Sequence, residues 1–477
     1  MFSKTVYRIS VVGAISLAFA ACKIPALTNR EENKTLPTHY TVSGDSSNSA
    51  TTTWRRYFSD PNLIALIDTA LKNNQEINII GQEIEISRNE VQARRGEYLP
   101  FVGLRAGAGV DKVARYTSRG AMEANTEIKP GKEMPDPLPD FMFGAYATWE
   151  IDIWHKLRNA QKAAATRYLS TVEGKNFAIT NLVAEIANSY YELLALDNQL
   201  DILHQNIAIQ SNALEIVKLE KEATRVTELA VKKFEAEVAK TKSLQFDVQQ
   251  QIVETENRIN FLLARQPQPV SRQKAAFENS QPNQVQAGLP SQLLANRPDI
   301  RQAELELAAY KLDVQVARAQ FYPSLGITAG VGYQAFNPAY LLKTPASLLA
   351  SLAGDLAAPL INKNAIKANY RNANAKQLQA VYNYERSILN GYFEVATQMA
   401  KISNLDSSYQ LKSQQVAALT QSIGISNDLF KSARADYMEV LMTQRDALES
   451  KFELIETKKQ QFNAMVNVYR ALGGGWQ

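Results

Sequence analysis

One cysteine among 477 residues excludes an intrachain disulfide and any Cys-rich metal site. The three histidines, His39, His155 and His204, are too scattered to suggest a zinc motif. An excess of one charge sign is also lacking. The 52 Lys and Arg face 48 Asp and Glu, a net of +4, so the footprint of a nucleic-acid binder is absent and no nucleic-acid partner is expected. No stretch beyond the N-terminus is apolar for long enough to read as a membrane-spanning helix. Motif spacing yields no nucleophile–base pair, phosphate loop or metal cluster; the composition leans away from an enzyme, and no cofactor is expected. Hydrophobic residues at 45% and charged residues at 21% nevertheless describe a folded chain.

What is present starts at the N-terminus. Lys4 and Arg8 precede a mostly apolar run of 13 residues, Ile9 to Ala21. That is too short to cross roughly 30 Å of hydrocarbon and the right length for a signal-peptide core. The run ends Phe19-Ala20-Ala21-Cys22, small residues before a cysteine as in a bacterial lipobox, where the thiol is acylated and becomes the new N-terminus. Residues 1–21 therefore read as a signal peptide, Cys22 as a lipidation site, and the polar stretch 22–53 as a tether. Without Lys4 and Arg8 the mature chain carries 50 basic against 48 acidic residues, close to neutral.

The rest is a duplication. Displaced by 223 residues, Val91, Gln92, Arg95, Pro100, Gly103, Ala106, Gly107 and Gly109 meet Val314, Gln315, Arg318, Pro323, Gly326, Ala329, Gly330 and Gly332. Displaced by 202, Asn188, Tyr190 and Glu192 meet Asn390, Tyr392 and Glu394. Two repeats, 54–265 and 298–477, are joined by a Pro- and Gln-rich linker at 266–297.

Each repeat changes period along its length. Residues 61–97 carry helical spacing behind an Asp60-Pro61 start. After Pro100 the pattern alternates, with Leu104, Ala106, Ala108 and Val110 on one face and Arg105, Gly107, Gly109 and Asp111 on the other. Residues 141–153 alternate again and put Tyr146, Thr148, Glu150 and Asp152 opposite an apolar face. The second repeat repeats this at 325–334 and at 348–358, where Leu352 and Leu356 oppose Ala353 and Asp355. Each run is about ten residues, the length of a tilted transmembrane strand. The connection 111–140, with Pro130-Gly131 and Pro135-Asp136-Pro137, reads as an exposed loop. Four strands cannot close a membrane barrel, which takes about eight, so several chains would have to pool theirs.

Long helices supply the remainder. An a/d heptad runs Ile179, Leu182, Ile186, Ser189, Leu193, Leu196, Leu200, Leu203, Ile207, Gln210, Leu214, Val217, and a returning one from Val231 to Leu262. A helix from His155 to Glu222 would be roughly 100 Å long at about 1.5 Å per residue. Its counterparts at 365–431 and 437–471 are less regular, with Ala and Tyr at inward positions. Asn188 to Thr224 spans 36 residues and Asn390 to Ala433 spans 43, a difference of one heptad that keeps the same face inward.

With these elements in place, five segments carry a family resemblance. They are Trp54-Arg55-Arg56-Tyr57-Phe58-Ser59-Asp60-Pro61, Trp149-Glu150-Ile151-Asp152-Ile153-Trp154, Leu289-Pro290-Ser291, Arg297-Pro298-Asp299-Ile300, and Leu472-Gly473-Gly474-Gly475-Trp476. Together, over nearly the whole mature chain, they resemble the TolC-like outer-membrane factors of tripartite efflux pumps, in particular the OprM-like lipoproteins. The resemblance implies a membrane α+β fold. A trimer would form a twelve-stranded β-barrel, four strands per chain, continuous with a long periplasmic helical barrel. It implies a passive exit channel of the outer membrane, with a homotrimer, a periplasmic adaptor, a proton-driven inner-membrane transporter and outer-membrane lipid as partners. Glu150, Asp152 and Asp355 would line the barrel lumen. The periplasmic gate would lie at the two helix turns, with Thr224, Arg225 and Glu228 in the first and Arg434, Asp436, Tyr437, Glu439, Met442 and Arg445 in the second. Relatives often carry a constriction acid where Met442 stands, which leaves two readings: Asp436 or Glu439 supplies the charge, or Met442 forms an apolar constriction. The alternative from another class is a surface lipoprotein with a structural or adhesive stalk, for which four amphipathic strands have no use. The eight methionines form no spaced metal-binding array, and drugs, dyes, bile-type amphiphiles and metal ions all suit such a channel as cargo.

Overall fold

The computed structural model describes residues 24–40, 47–274, 277, 280–282, 285–432 and 434–477; the stretch expected to be a signal peptide, the expected lipidation site Cys22, and Ala433 lie outside them. In chain order the main elements are α1 (Pro61–Asn73), α2 (Gln75–Glu97), β1 (Phe101–Asp111), α3 (Ser118–Glu123), β2 (Glu127–Lys129), β3 (Lys132–Glu133), β4 (Leu138–Ile151), α4 (Lys156–Glu222) and α5 (Glu228–Leu262). The second repeat contributes α6 (Pro298–Ala319), β5 (Ser324–Ala335), β6 (Leu348–Ala357), α7 (Asn364–Lys431) and α8 (Tyr437–Ala471). The long helices fall where the heptads place them. The helix expected over 61–97 is instead two. Asn74 is buried and breaks it: its amide donates to Leu262 O at 2.9 Å, and its Oδ1 accepts from Ile77 N at 3.1 Å, capping α2.

Contacts divide the chain into two compact units, neither of which coincides with a sequence repeat. The first takes residues 24–31, 85–168 and 305–381, the second the described parts of Glu32–Ile84, Leu169–Glu304 and Tyr382–Gln477.

The first unit holds an antiparallel sheet in the order β1-β4-β5-β6. Register assigns every side chain to a face. On one face stand Val102, Leu104, Ala106, Ala108 and Val110 of β1 with Phe143, Ala145, Ala147 and Trp149 of β4. Ile327, Ala329, Val331 and Tyr333 of β5 and Leu348, Leu352 and Leu356 of β6 continue that face. It is apolar throughout. The opposite face carries Arg105, Tyr146, Thr148, Glu150, Thr328, Ser351 and Asp355 among glycines. At its centre Gly144 pairs with Gly332. A Cβ on Gly332 would sit 2.4 Å from Phe143 O, and one on Gly144 2.6 Å from Val331 O, so only glycine fits where the two backbones close in. Outside the sheet, Phe321 and Tyr370 pack with Ile24 and Leu27, and Arg167 pairs with Asp313. The 111–140 loop is more ordered than its composition suggests. It contains α3 and the β2–β3 ribbon, turned at Pro130-Gly131, where Gly131 has φ +74°.

The second unit is a helical core. Leu63, Ile67, Ile186, Tyr190, Leu193, Ile259 and Phe462 are buried together. Asp60 caps α1 through Asn62 N at 2.8 Å and accepts the Tyr190 hydroxyl at 2.6 Å. Burial pushes the Tyr190 phenol up, and the Asp60 carboxylate adds to the shift. Two of the signature segments meet here. Arg297, nearly fully buried, pairs with Asp299 and Glu394 at 2.7 Å and donates to Ala471 O at 2.7 Å, tying the Arg-Pro-Asp segment to the C-terminal Leu-Gly-Gly-Gly-Trp. Burial alone would pull that guanidinium down; the two carboxylates reverse the sign and hold it above its ordinary value. Nine of the twelve a/d positions from Ile179 to Val217 are buried, and Ile179, Leu200 and Ile207 are half-buried.

Candidate functional site

Two places collect the residues singled out by the sequence: the polar face of the sheet and the paired helix turns. On the sheet, Glu150 pairs with Gly326 and Gly326 with Asp355, so the two carboxylates share one row of the polar face. Arg105 occupies the same face on β1, a residue the lumen assignment omitted although its alternation placed it there. Lys156 donates to Glu150 at 2.5 Å. Asp152 departs from the expectation. It lies one residue beyond β4, and its carboxylate accepts from Leu157 N at 3.0 Å and Arg158 N at 2.9 Å, so it caps α4. Two indoles close the same end of the sheet: Trp149 donates to Tyr98 O at 3.0 Å and Trp154 to Pro323 O at 2.7 Å. An apolar band bordered by half-wet tryptophans is the pattern of a lipid-facing strand surface.

The helix turns lie together in the second unit over one apolar cluster. Leu214, Val217, Ala230, Val231, Phe234 and Val238 of the first hairpin pack with Phe430, Tyr437 and Leu441 of the second. Both leading helices end with the same backbone device. Arg225 N bonds Glu220 O and Arg434 N bonds Leu429 O, each at 2.9 Å, the six-residue closure of a Schellman turn. Thr224 takes the left-handed position at φ +59°, where glycine is usual and a β-branched residue is strained.

Beyond that backbone the turns differ. In the first, Lys221 pairs across the turn with Glu228 at 2.5 Å, and Lys232 supports it at 3.7 Å. The hydrogen bond and charge of Lys221 hold the Glu228 carboxyl below its ordinary value. Arg225 is exposed. In the second turn, Arg434, Asp436 and Glu439 are exposed and make no ion pair within the chain among the described residues. Arg445 does not reach Asp436 or Glu439; it pairs with its neighbour Asp446 at 3.1 Å. On α8, Glu439, Met442 and Asp446 follow at helical spacing along one exposed stripe, while Val440, Gln444 and Ala447 face inward. Asp446 was missed by the sequence reading, although it stands seven residues from Glu439 and four from Met442. Lys221 was missed too, because its partner lies across the turn. Among the described residues no three His, Cys, Asp or Glu side chains converge as a metal site needs, and no helix is long and apolar enough to cross a membrane.

Comparison with known proteins gives this geometry its context. The family described as outer membrane efflux protein matches residues 66–265 and 289–474. The pyoverdine export outer membrane protein OpmQ of Pseudomonas aeruginosa is 26% identical over 98% of this chain and 97% of its own length. The probable outer membrane lipoprotein SilC of Salmonella typhimurium is 25% identical over the full length of both. Among solved structures, the open state of the Neisseria gonorrhoeae MtrE outer membrane channel shares the fold with a TM-score of 0.82, at 22% identity over 95% of this chain and 98% of that one.

Proposed function

This chain belongs to the outer membrane efflux protein family, and we propose that three copies pool their sheets into one closed twelve-stranded barrel. It is an outer-membrane efflux channel, from a family of channels and not of enzymes. The sheet with one wholly apolar face carries the oligomeric reading. Its outer strands β1 and β6 are edges, and an unpaired backbone group in hydrocarbon costs several kcal/mol. Four strands are half of what closure takes, and joining β6 of each copy to β1 of the next removes every edge. The polar face, with Arg105, Glu150 and Asp355, then faces water inside the barrel, and its glycines supply the curl.

In this reading the long helices continue the conduit in the periplasm, where an adaptor couples the trimer to a proton-driven inner-membrane transporter. The channel contributes no energy of its own. Cys22 carries acyl chains that add a second attachment beside the barrel. Native mass spectrometry in detergent tests the assembly: three copies of a chain of roughly 51 kDa, the 53.1 kDa precursor less its leader, are expected. A monodisperse monomer with folded strands would overturn the trimer. Mass analysis of the N-terminal peptide tests the anchor, and an unmodified Cys22 or a different cleavage site would end that assignment.

A further inference from the structure

The loops beyond the free ends of the strands carry cations that conduction does not explain. Three lysines converge on one phenol. Lys129 of β2 places its Nζ 3.1 Å from the Tyr340 hydroxyl and 5.5 Å from the ring centroid, and Lys343 lies 4.6 Å from the same centroid. Lys132 faces Lys129 across the β2–β3 ribbon. Two other cations of this region do have acids: Lys112 pairs with Asp136, and Arg119 with Asp111 and Glu123. Lys129, Lys132 and Lys343 form no ion pair among the described residues. The hydrogen bond and charge of Lys129, with the charges of Lys343 and Lys132, pull the Tyr340 phenol below its ordinary value.

The position of this cluster narrows what it can bind. Thr344 of the same loop approaches the Tyr333 hydroxyl to 3.5 Å, and Tyr333 stacks on Phe143 at 5.7 Å on the apolar face. Leu342, next to Lys343, is 71% exposed. Cations, a phenol and an exposed aliphatic side chain thus stand at the edge of an apolar band, where an amphiphile presents its headgroup.

We propose that Lys129, Lys132 and Lys343, gathered around Tyr340, bind the phosphate groups of an anionic lipid in the leaflet around the barrel, with Leu342 against its acyl chains. This rests on the outer-membrane channel reading. A lysine beside an anionic surface strengthens attachment about fivefold, so three together supply on the order of a hundredfold.

The test uses the full mature chain in nanodiscs of phosphatidylcholine containing a minor share of diphosphorylated lipid A. Lipid retained by the trimer is counted by native mass spectrometry. Lys129→Gln/Lys132→Gln/Lys343→Gln should lower retention on the order of a hundredfold. Lys343→Gln alone, a milder change that keeps the proposal testable if the triple variant misfolds, should lower it about fivefold. Dephosphorylated lipid should bind weakly and equally to all, and millimolar inorganic phosphate should leave the lipid in place. Equal retention by the wild type and the folded triple or single variant overturns the proposal, as does wild-type binding of the phosphate-free lipid as strong as that of the phosphorylated one. Displacement by inorganic phosphate overturns the lipid assignment in favour of a free anion. Failure of the channel reading registers separately, as loss of the trimer mass in the wild-type sample.

Discussion

The two helix turns are built from one plan and finished differently. Each leading helix closes with the same six-residue backbone bond, and both turns rest on the cluster around Phe234. The first is then latched by Lys221 and Glu228. In the second, Arg434, Asp436 and Glu439 stay exposed, and among the described residues Arg445 pairs with its neighbour Asp446. A duplication repeats backbone and core because both depend on heptad phase. It leaves the surface of each copy free to diverge. The first turn is latched within the chain, and the second presents its charges to solvent.

Removing the shared base should break this difference. Phe234 is 1% exposed beneath both turns, so Phe234→Ala leaves a cavity costing about 3–5 kcal/mol. Hydrogen exchange should then accelerate in both turns together. Acceleration confined to the first hairpin would show that the cluster does not support both.

A smaller effect sharpens the contrast. Thr224 holds φ +59°, and Thr224→Gly should stabilise the first turn by about 1 kcal/mol, slowing exchange at the end of α4 without touching the second turn. Unchanged or faster exchange there would mean that the left-handed threonine carries no strain.

The smallest effect is a pH dependence. Lys221 holds the Glu228 carboxyl below its ordinary value of 4.5. A depressed acid contributes stability that is fully present above the unfolded value and is lost as pH falls through the folded one. Protection in residues 222–230, that is exchange corrected for the intrinsic pH dependence of free amides, should therefore stay level from neutral pH down to the ordinary carboxylate range and fall only below it. Glu228→Gln should show the lower protection already at neutral pH and no further loss on acidification. A loss of protection beginning near neutrality would assign the effect to another group.

Much of this was legible before any coordinates. The places of α4 and α5 follow from heptads, because a long helix buries one stripe wherever it sits, and those of α7 and α8 follow from correspondence between the two repeats. Face assignment in the sheet follows from alternation and register. The break at Asn74 was not legible, since it depends on Leu262 O, far along the chain. The capping role of Asp152 was not legible, because alternation runs on past the strand while its carboxylate serves the next helix. The β2–β3 ribbon is too short to show a period. Pairing at the turns escaped the sequence because helix phase brings Lys221 to Glu228, whereas Arg445 folds back on the residue beside it.

We propose that the charges of the second turn, and not Met442, close the periplasmic end of the trimer. In that reading Arg434→Ser/Arg445→Ser leaves Asp436, Glu439 and Asp446 of each copy without the two arginines beside them. Losing the Arg434 charge and the Arg445–Asp446 pair in three copies should shift the closed-to-open balance by on the order of 1–3 kcal/mol, about five- to a hundredfold in open population. Single-channel recording in planar bilayers measures this directly. The double variant should conduct more than the wild type and admit vancomycin, while Met442→Ala stays closed. An unchanged double variant beside an open Met442→Ala would contradict it.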